Sequence, residues 1–246
     1  MPTQCQAPQR LYDRRSFLST CCAAAAMTFV ATGPLFSVAH AAALTKAQRE
    51  KLTPDQILEL MKKGNKRFYT GQREARNFLA QQRASAAGQY PAAVLLSCID
   101  SRAPAETIMD LGIGDIFNSR VAGNVENPDI LGSMEFACKI AGAKVVLVMG
   151  HTACGAIKGA IDNAKLGNLT GLLEKIRPAV DATTYSGERT SSNYAFVDAV
   201  ARKNVELTIR DIRKDSPVLA GLESSGAIKI AGAMYNLKTG VVDFFS

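Results

Sequence analysis

Apolar and polar positions change period several times along the chain, and each change marks an element. Between residues 42 and 87, Ile57, Leu58, Leu60, Met61 and Phe68 recur at helical spacing, as on a helix with one apolar stripe. Thr53-Pro54-Asp55 starts that helix, with Thr53 as cap and Pro54 in the first turn. Gln89-Tyr90-Pro91 ends this arm. Residues 92–97 then form a short unbroken apolar run, the mark of a strand buried on both faces. A turn at Pro104 and a helical turn over 105–111 follow, then a second strand over 115–121. A helix over 128–141 leads to a Val-rich third strand over 144–149. Helices over 154–165, 169–183 and 193–214 come next, with another starting at Ser216-Pro217. Strands over 228–235 and 241–245 flank a turn at 237–240. Strands alternating with helices predict an α/β fold. Its expected form is a mostly parallel β-sheet with an antiparallel edge strand, flanked by helices and preceded by a helical arm.

The first 41 residues have a different character. Arg14 and Arg15 precede Ser16, Phe17 and Leu18, a weakly apolar run covers 21–31, and Ala39-His40-Ala41 is a small-x-small cleavage pattern. The Arg-Arg-x-Phe-Leu string resembles a twin-arginine export signal, with Asp13 departing from it. The run is too short for a span of about 20 residues, and Gly33-Pro34 interrupts it. Cys21 precedes the run instead of following it, unlike a lipoprotein cysteine. Three parts are therefore expected: a removable leader over 1–41, a helical arm over 42–90 and an α/β catalytic domain over 91–246. The mature protein is expected to be periplasmic or otherwise exported, with no membrane segment.

Charge changes this picture little. The chain of 246 residues has a formal net charge of +7, and residues 42–246 hold 26 basic against 21 acidic side chains. The basic residues are scattered and not interleaved with aromatics, so no nucleic-acid partner is expected.

Cysteine and histidine narrow the chemistry. Of six cysteines, Cys5, Cys21 and Cys22 fall in the leader, which leaves Cys98, Cys138 and Cys154. An odd number argues against a disulfide framework. Cys138 sits in an apolar helical pattern with Met134, Ala137 and Ala141, as a core residue would. Beyond the leader only His151 remains, which excludes any site that needs two histidines.

Two segments stand out. Cys98-Ile99-Asp100-Ser101-Arg102 follows the first strand of the sheet, and His151-Thr152-Ala153-Cys154-Gly155 follows the third. Both lie at carboxyl ends of parallel strands, where open α/β sheets place their sites. If those strands are neighbours, Cys98 converges on His151 and Cys154. Two thiolates and one imidazole suit Zn2+, and three protein ligands leave a position open, as catalytic zinc requires. Zinc lowers the pKa of a water in that position to about 7.

C-x-D-S-R followed by H-x-x-C-G resembles the β-class carbonic anhydrases. The similarity extends to Gly114-Asp115, Arg120, Ala122-Gly123-Asn124, Met149-Gly150-His151 and, in the arm, Asn65, Arg67 and Phe68. Val121 departs from the family, which often has Asn there. The resemblance implies zinc on Cys98, His151 and Cys154, and a catalytic dyad of Asp100 and Arg102. Asp100 is also a candidate fourth ligand in a resting state, and Ser101 a candidate for fixing the loop. A bidentate Arg102 would hold the Asp100 carboxylate. Asp100 would then accept a hydrogen bond from the hydroxide on zinc and aim it at CO2. The implied partners are CO2, bicarbonate and a second copy in a homodimer or higher oligomer. Some family members bind a second bicarbonate in a pocket that includes a Trp; this chain has none, so that pocket is expected to be absent or remodelled. Two alternatives share the ligand set: a CS2 or COS hydrolase on the same scaffold, and a non-catalytic zinc or anion-binding protein.

Overall fold

The computed structural model describes residues 44–245. The expected leader, with Arg14, Arg15 and the small-x-small pattern at 39–41, lies outside the described residues. Helix α1 (Lys46–Lys51) and helix α2 (Pro54–Tyr69) each begin with a capping box. In α2, Thr53 Oγ1 accepts from the Gln56 amide at 3.2 Å and Gln56 Oε1 accepts from the Thr53 amide at 2.9 Å. Two orphan donors are thereby satisfied at one helix end. The α2 stripe of Ile57, Leu58 and Met61 is buried, while Leu60 on the other side is exposed. Helix α3 (Phe78–Ser85) follows.

The sheet consists of β1 (Ala93–Ser97), β2 (Ile116–Arg120), β3 (Val145–His151), β4 (Lys229–Tyr235) and β5 (Val242–Phe245). Its order is β2-β1-β3-β4-β5, parallel except for the antiparallel β4–β5 pair at one edge. The expected architecture is the observed one, and the first and third strands are neighbours. Alternation decides which layer each side chain enters. Ala93, Leu95, Val145, Leu147 and Met149 pack with the α2 stripe. Val94, Leu96, Val146 and Val148 pack on the opposite face, against helices α5 (Pro128–Glu135), α8 (Tyr194–Asp215) and α9 (Pro217–Ser224). Burying a Val, Leu or Ile side chain stabilises by roughly 1.5–3 kcal/mol, so a sheet covered on both faces supplies the core.

Three helices depart from their expected ends, each for a visible reason. Helix α4 (Ala105–Ile108) stops short of 111, because Asp110 takes a left-handed φ of 47°. The helix expected over 128–141 is α-helical only to Glu135. It ends in a π turn over Phe136–Ile140, where the Ala141 amide donates to Phe136 O at 2.9 Å. Helix α6 (Gly155–Ile161) ends before 165 because Asn163 turns left-handed, at φ 53°. Asn tolerates that conformation better than most residues.

Two of the arm residues that carried the resemblance fasten the arm to the sheet. Buried Asn65 donates from Nδ2 to Ile108 O and Gly240 O, both at 2.9 Å, and accepts from the Val242 amide at 2.9 Å. Arg67 Nε donates to Asp110 Oδ2 at 2.6 Å. Among the described residues no helix is long and apolar enough to cross a membrane.

Candidate metal centre

Cys98 is the first residue after β1, and His151 is the last residue of β3. Ser97 lies in register with Met149 on the adjacent strand, so the two strand ends open side by side. Cys154 immediately precedes α6, after a reversal at Ala153 with φ 54°. The ligand atoms of Cys98, His151 and Cys154 all lie within 4.8 Å of one another, and the two sulfurs are 4.0 Å apart. All three residues are buried.

The donors are oriented. The His151 Nδ1 lies 2.9 Å from Thr152 O, which can only accept. That contact places a proton on Nδ1, so the lone pair of the neutral ring is on Nε2. Nε2 is buried and has no hydrogen-bond partner among the described residues. Cys98 Sγ accepts from the Gly123 amide at 3.4 Å. Gly123 sits at φ 70°, and a Cβ there would lie 2.5 Å from Ile176 Cδ1, so only glycine brings its amide this close.

The thiols are unequal. A hydrogen bond from Cys154 is the main cause that lowers the Cys98 pKa; burial opposes it, and His151 and the Gly123 amide assist. Cys154 is pushed up by the same contact and by burial. The pair therefore gives up one proton readily and holds the second, as coupled sites do. Burial penalises charge on His151, but the facing Cys98 outweighs it and raises the imidazole pKa. Two ionised sulfurs 4.0 Å apart need a cation between them and the imidazole. The donor set thus fits a thiophilic dication.

Asp100 borders this cluster, with Oδ2 3.8 Å from His151 Nε2. Arg102 donates from Nε to Oδ1 at 2.9 Å and from Nη2 to Oδ2 at 2.7 Å, and its amide donates to Oδ1 at 2.9 Å. These bonds, led by the guanidinium, hold the Asp100 carboxyl well below the usual carboxylate range despite some desolvation. Ser101 is exposed. The loop is fixed instead by Arg120, which donates to Cys98 O at 3.0 Å and Asp100 O at 2.6 Å. A cleft of about 650 Å³ lined by Phe117, Asn118, Pro128 and Phe136 lies beside β2 and holds none of these groups.

A family model described as carbonic anhydrase matches residues 93–242, which contain the whole cluster. The chain belongs to the carbonic anhydrase family. Carbonic anhydrase 2 of Mycobacterium tuberculosis is 33% identical over 186 residues, covering 73% of this chain and 87% of its own. The carbonic anhydrase of Mycolicibacterium smegmatis is 32% identical over 192 residues, covering 76% and 90%. Among solved structures, the β-carbonic anhydrase CafA of Aspergillus fumigatus is 30% identical, with a TM-score of 0.59 over 67% of this chain and 79% of its own. Two tetrameric β-carbonic anhydrases from Sordaria macrospora are represented by a chain 25% identical, with a TM-score of 0.57 over 65% and 82%. The enzyme is thus a carbonic anhydrase with the β-class fold, and its Cys-His-Cys group can hold a metal ion.

The contacts that hold the 152–153 loop carry no local sequence signal. Thr152 accepts from the Leu237 amide through Oγ1 at 3.0 Å, and Asp198 accepts from the Ala153 amide at 2.8 Å. Leu237 and Asp198 are distant from this loop in sequence, so no motif marks either of them.

Proposed function

We propose that this β-class carbonic anhydrase interconverts CO2 with bicarbonate and a proton, using zinc held by Cys98, His151 and Cys154 and a dyad of Asp100 and Arg102. The observation that carries this reading is the buried convergence of two thiols and an unpartnered imidazole nitrogen within 4.8 Å. Zinc bound there supplies the Lewis acidity that lets water ionise near neutral pH.

The chain's own groups do the rest. Asp100 is ionised, so it can only accept. Arg102 occupies one side of each carboxylate oxygen, and Oδ2 keeps its face toward His151. An acceptor in that place takes the O–H of the attacking oxygen and turns its lone pair toward CO2. A carboxylate held this acidic is a poor proton acceptor, so Asp100 orients and does not store the proton. Arg102 fixes the carboxylate, and Arg120 fixes the loop that carries it.

The test is zinc content and CO2 hydration measured on the purified protein. Asp100→Asn is expected to keep its zinc and lose roughly a hundredfold in hydration rate, because the amide offers a donor as well as an acceptor. A wild-type rate in that variant would make the carboxylate a bystander. Hydrolysis of CS2 or COS without CO2 hydration would reassign the substrate, and zinc without either activity would leave only a binding protein.

Phe78, Leu79, Phe136 and Ile140 expose large apolar surfaces, more than a solitary domain tends to leave uncovered. The Sordaria macrospora relatives are described as tetrameric. A homodimer or higher oligomer is expected at micromolar concentration, and light scattering that returns the mass of one chain would overturn this.

Without metal, sulfurs 4.0 Å apart are poised for oxidation in a periplasm. The twin-arginine route carries folded protein, so zinc can be loaded in the cytoplasm first. Replacing Arg14 and Arg15 by Lys is expected to leave active enzyme in the cytoplasm. A Sec-type leader is expected to deliver protein with less zinc and some Cys98–Cys154 disulfide. Equal zinc content from both routes would remove this rationale.

A further inference from the structure

Only two residues separate His151 from Cys154, and each is tied to a different element. The Thr152 amide donates to Tyr235 O at 3.0 Å, and Thr152 Oγ1 accepts from the Leu237 amide at 3.0 Å. These bonds fasten the first half of the loop to the β4–β5 hairpin. The second half is different. Ala153 stands at φ 54°, a conformation that L residues with a Cβ disfavour. The amide of this left-handed residue donates to Asp198 Oδ1 at 2.8 Å. The partner is a charged acceptor on helix α8, half-buried and 45 residues away.

The helix that carries Asp198 is itself fixed against the sheet. At Gly150, next to His151, an added Cβ would lie 2.9 Å from Val205 Cγ2 and 2.8 Å from Met234 Sδ. Helix α8 therefore approaches β3 as closely as a glycine permits. The same helix also reaches the other thiol's support: Asn204 Nδ2 donates to Gly123 O at 2.8 Å, and the Gly123 amide donates to Cys98 Sγ. One rigid helix thus gauges the loops behind both sulfurs.

We propose that Asp198 is a positioning residue for the metal centre, whose carboxylate holds Ala153 left-handed and so sets the spacing of the His151 and Cys154 donors. This rests on the reading that Cys98, His151 and Cys154 bind zinc. Asp198 is not one of the three clustered donors; it acts through the Ala153 amide. Residues that orient ligands from behind commonly change metal affinity by roughly 10–100-fold when removed.

The test uses the full chain. Zinc affinity is measured by competition with a chromophoric chelator, and the thiolate-to-metal absorption is recorded after cobalt substitution. Asp198→Ala is expected to weaken zinc binding by roughly 10–100-fold and to shift the cobalt spectrum. Asp198→Asn keeps an acceptor oxygen and is expected to stay within a few fold of wild type. Ala153→Gly should bind zinc like wild type, since glycine takes positive φ without steric cost. Combined with Asp198→Ala, it should restore most of the affinity and the wild-type cobalt spectrum. Three results would overturn the proposal: wild-type affinity in Asp198→Ala, even with a lowered Tm; no rescue by Ala153→Gly; or a loss in Asp198→Asn as large as in Asp198→Ala. Wild-type protein that binds no zinc would defeat the underlying reading and the proposal with it, and so is distinguishable from those three.

Discussion

Serine in place of either Cys98 or Cys154 is expected to remove zinc and CO2 hydration together. The serine hydroxyl has nearly the shape of the thiol but does not ionise in the pH range where a thiol can. The site would then offer one thiolate, one imidazole and a neutral oxygen to a metal that prefers sulfur and nitrogen. The loss should exceed the roughly 10–100-fold that follows from removing a group behind a ligand. Activity below about one per cent of wild type should accompany it, since the Lewis acid is gone. The remaining thiol should also lose its partner's influence, because the lowering of Cys98 and the raising of Cys154 are two sides of one contact. Cys138 provides the control. It is buried between Met134, Ala137 and the sheet, and burial alone pushes its thiol up to about 12. Cys138→Ala removes a small apolar contact and should keep both zinc and activity. Elemental analysis settles the matter: a full zinc complement in Cys98→Ser and Cys154→Ser would refute the ligand assignment.

Much of this centre was legible because its parts are local. An unbroken apolar run identifies a strand covered on both faces, and β1 and β3 are such runs. Each runs directly into a segment with a candidate ligand, so topology alone brings Cys98 to His151 once the strands are neighbours. The Asp100–Arg102 pair is equally local, being two residues apart. What was not legible depends on residues far away in sequence. No pattern around residue 198 announces a contact to the Ala153 amide. The shortened α4 has the same origin. Its apolar pattern continues to Leu111, but Asp110 leaves the helical conformation and meets Arg67, 43 residues earlier. Helix propensity acts within a turn or two, and a buried charge pair overrides it.

That buried pair carries the second large effect. The Asp110 carboxyl is fully enclosed, with Arg67 Nε at 2.6 Å, Arg73 Nε at 3.4 Å and Arg76 Nε at 3.7 Å. The Glu74 amide donates to Oδ2 at 3.2 Å, and Arg76 also donates to the Asp110 carbonyl. One carboxylate thus fastens the loop after α2 to the turn that leads into β2. Burial resists its ionisation, but the bond from Arg67, the Glu74 amide and the arginine charges outweigh burial and hold its pKa below the ordinary range. Asp110→Ala would leave the buried Arg76 with only Glu74 for charge, and would place alanine at a positive φ. Breaking a buried pair from one side costs about 3–5 kcal/mol. At roughly 2–4 °C per kcal/mol for a chain of this size, Tm should fall by about 10 °C. Asp110→Asn tolerates the same backbone and still accepts, so it should lose less and lose it in a pH-dependent way. Because the folded pKa is depressed, the stabilisation is complete above the unfolded value of about 3.9 and disappears as pH falls through the folded value. The gap in Tm between wild type and Asp110→Asn should therefore be constant from pH 7 to 5 and close below about pH 4. Other acid-sensitive groups are common to both proteins and cancel in that difference. A gap unchanged down to pH 3 would mean that Asp110 does not fasten the loop as a carboxylate.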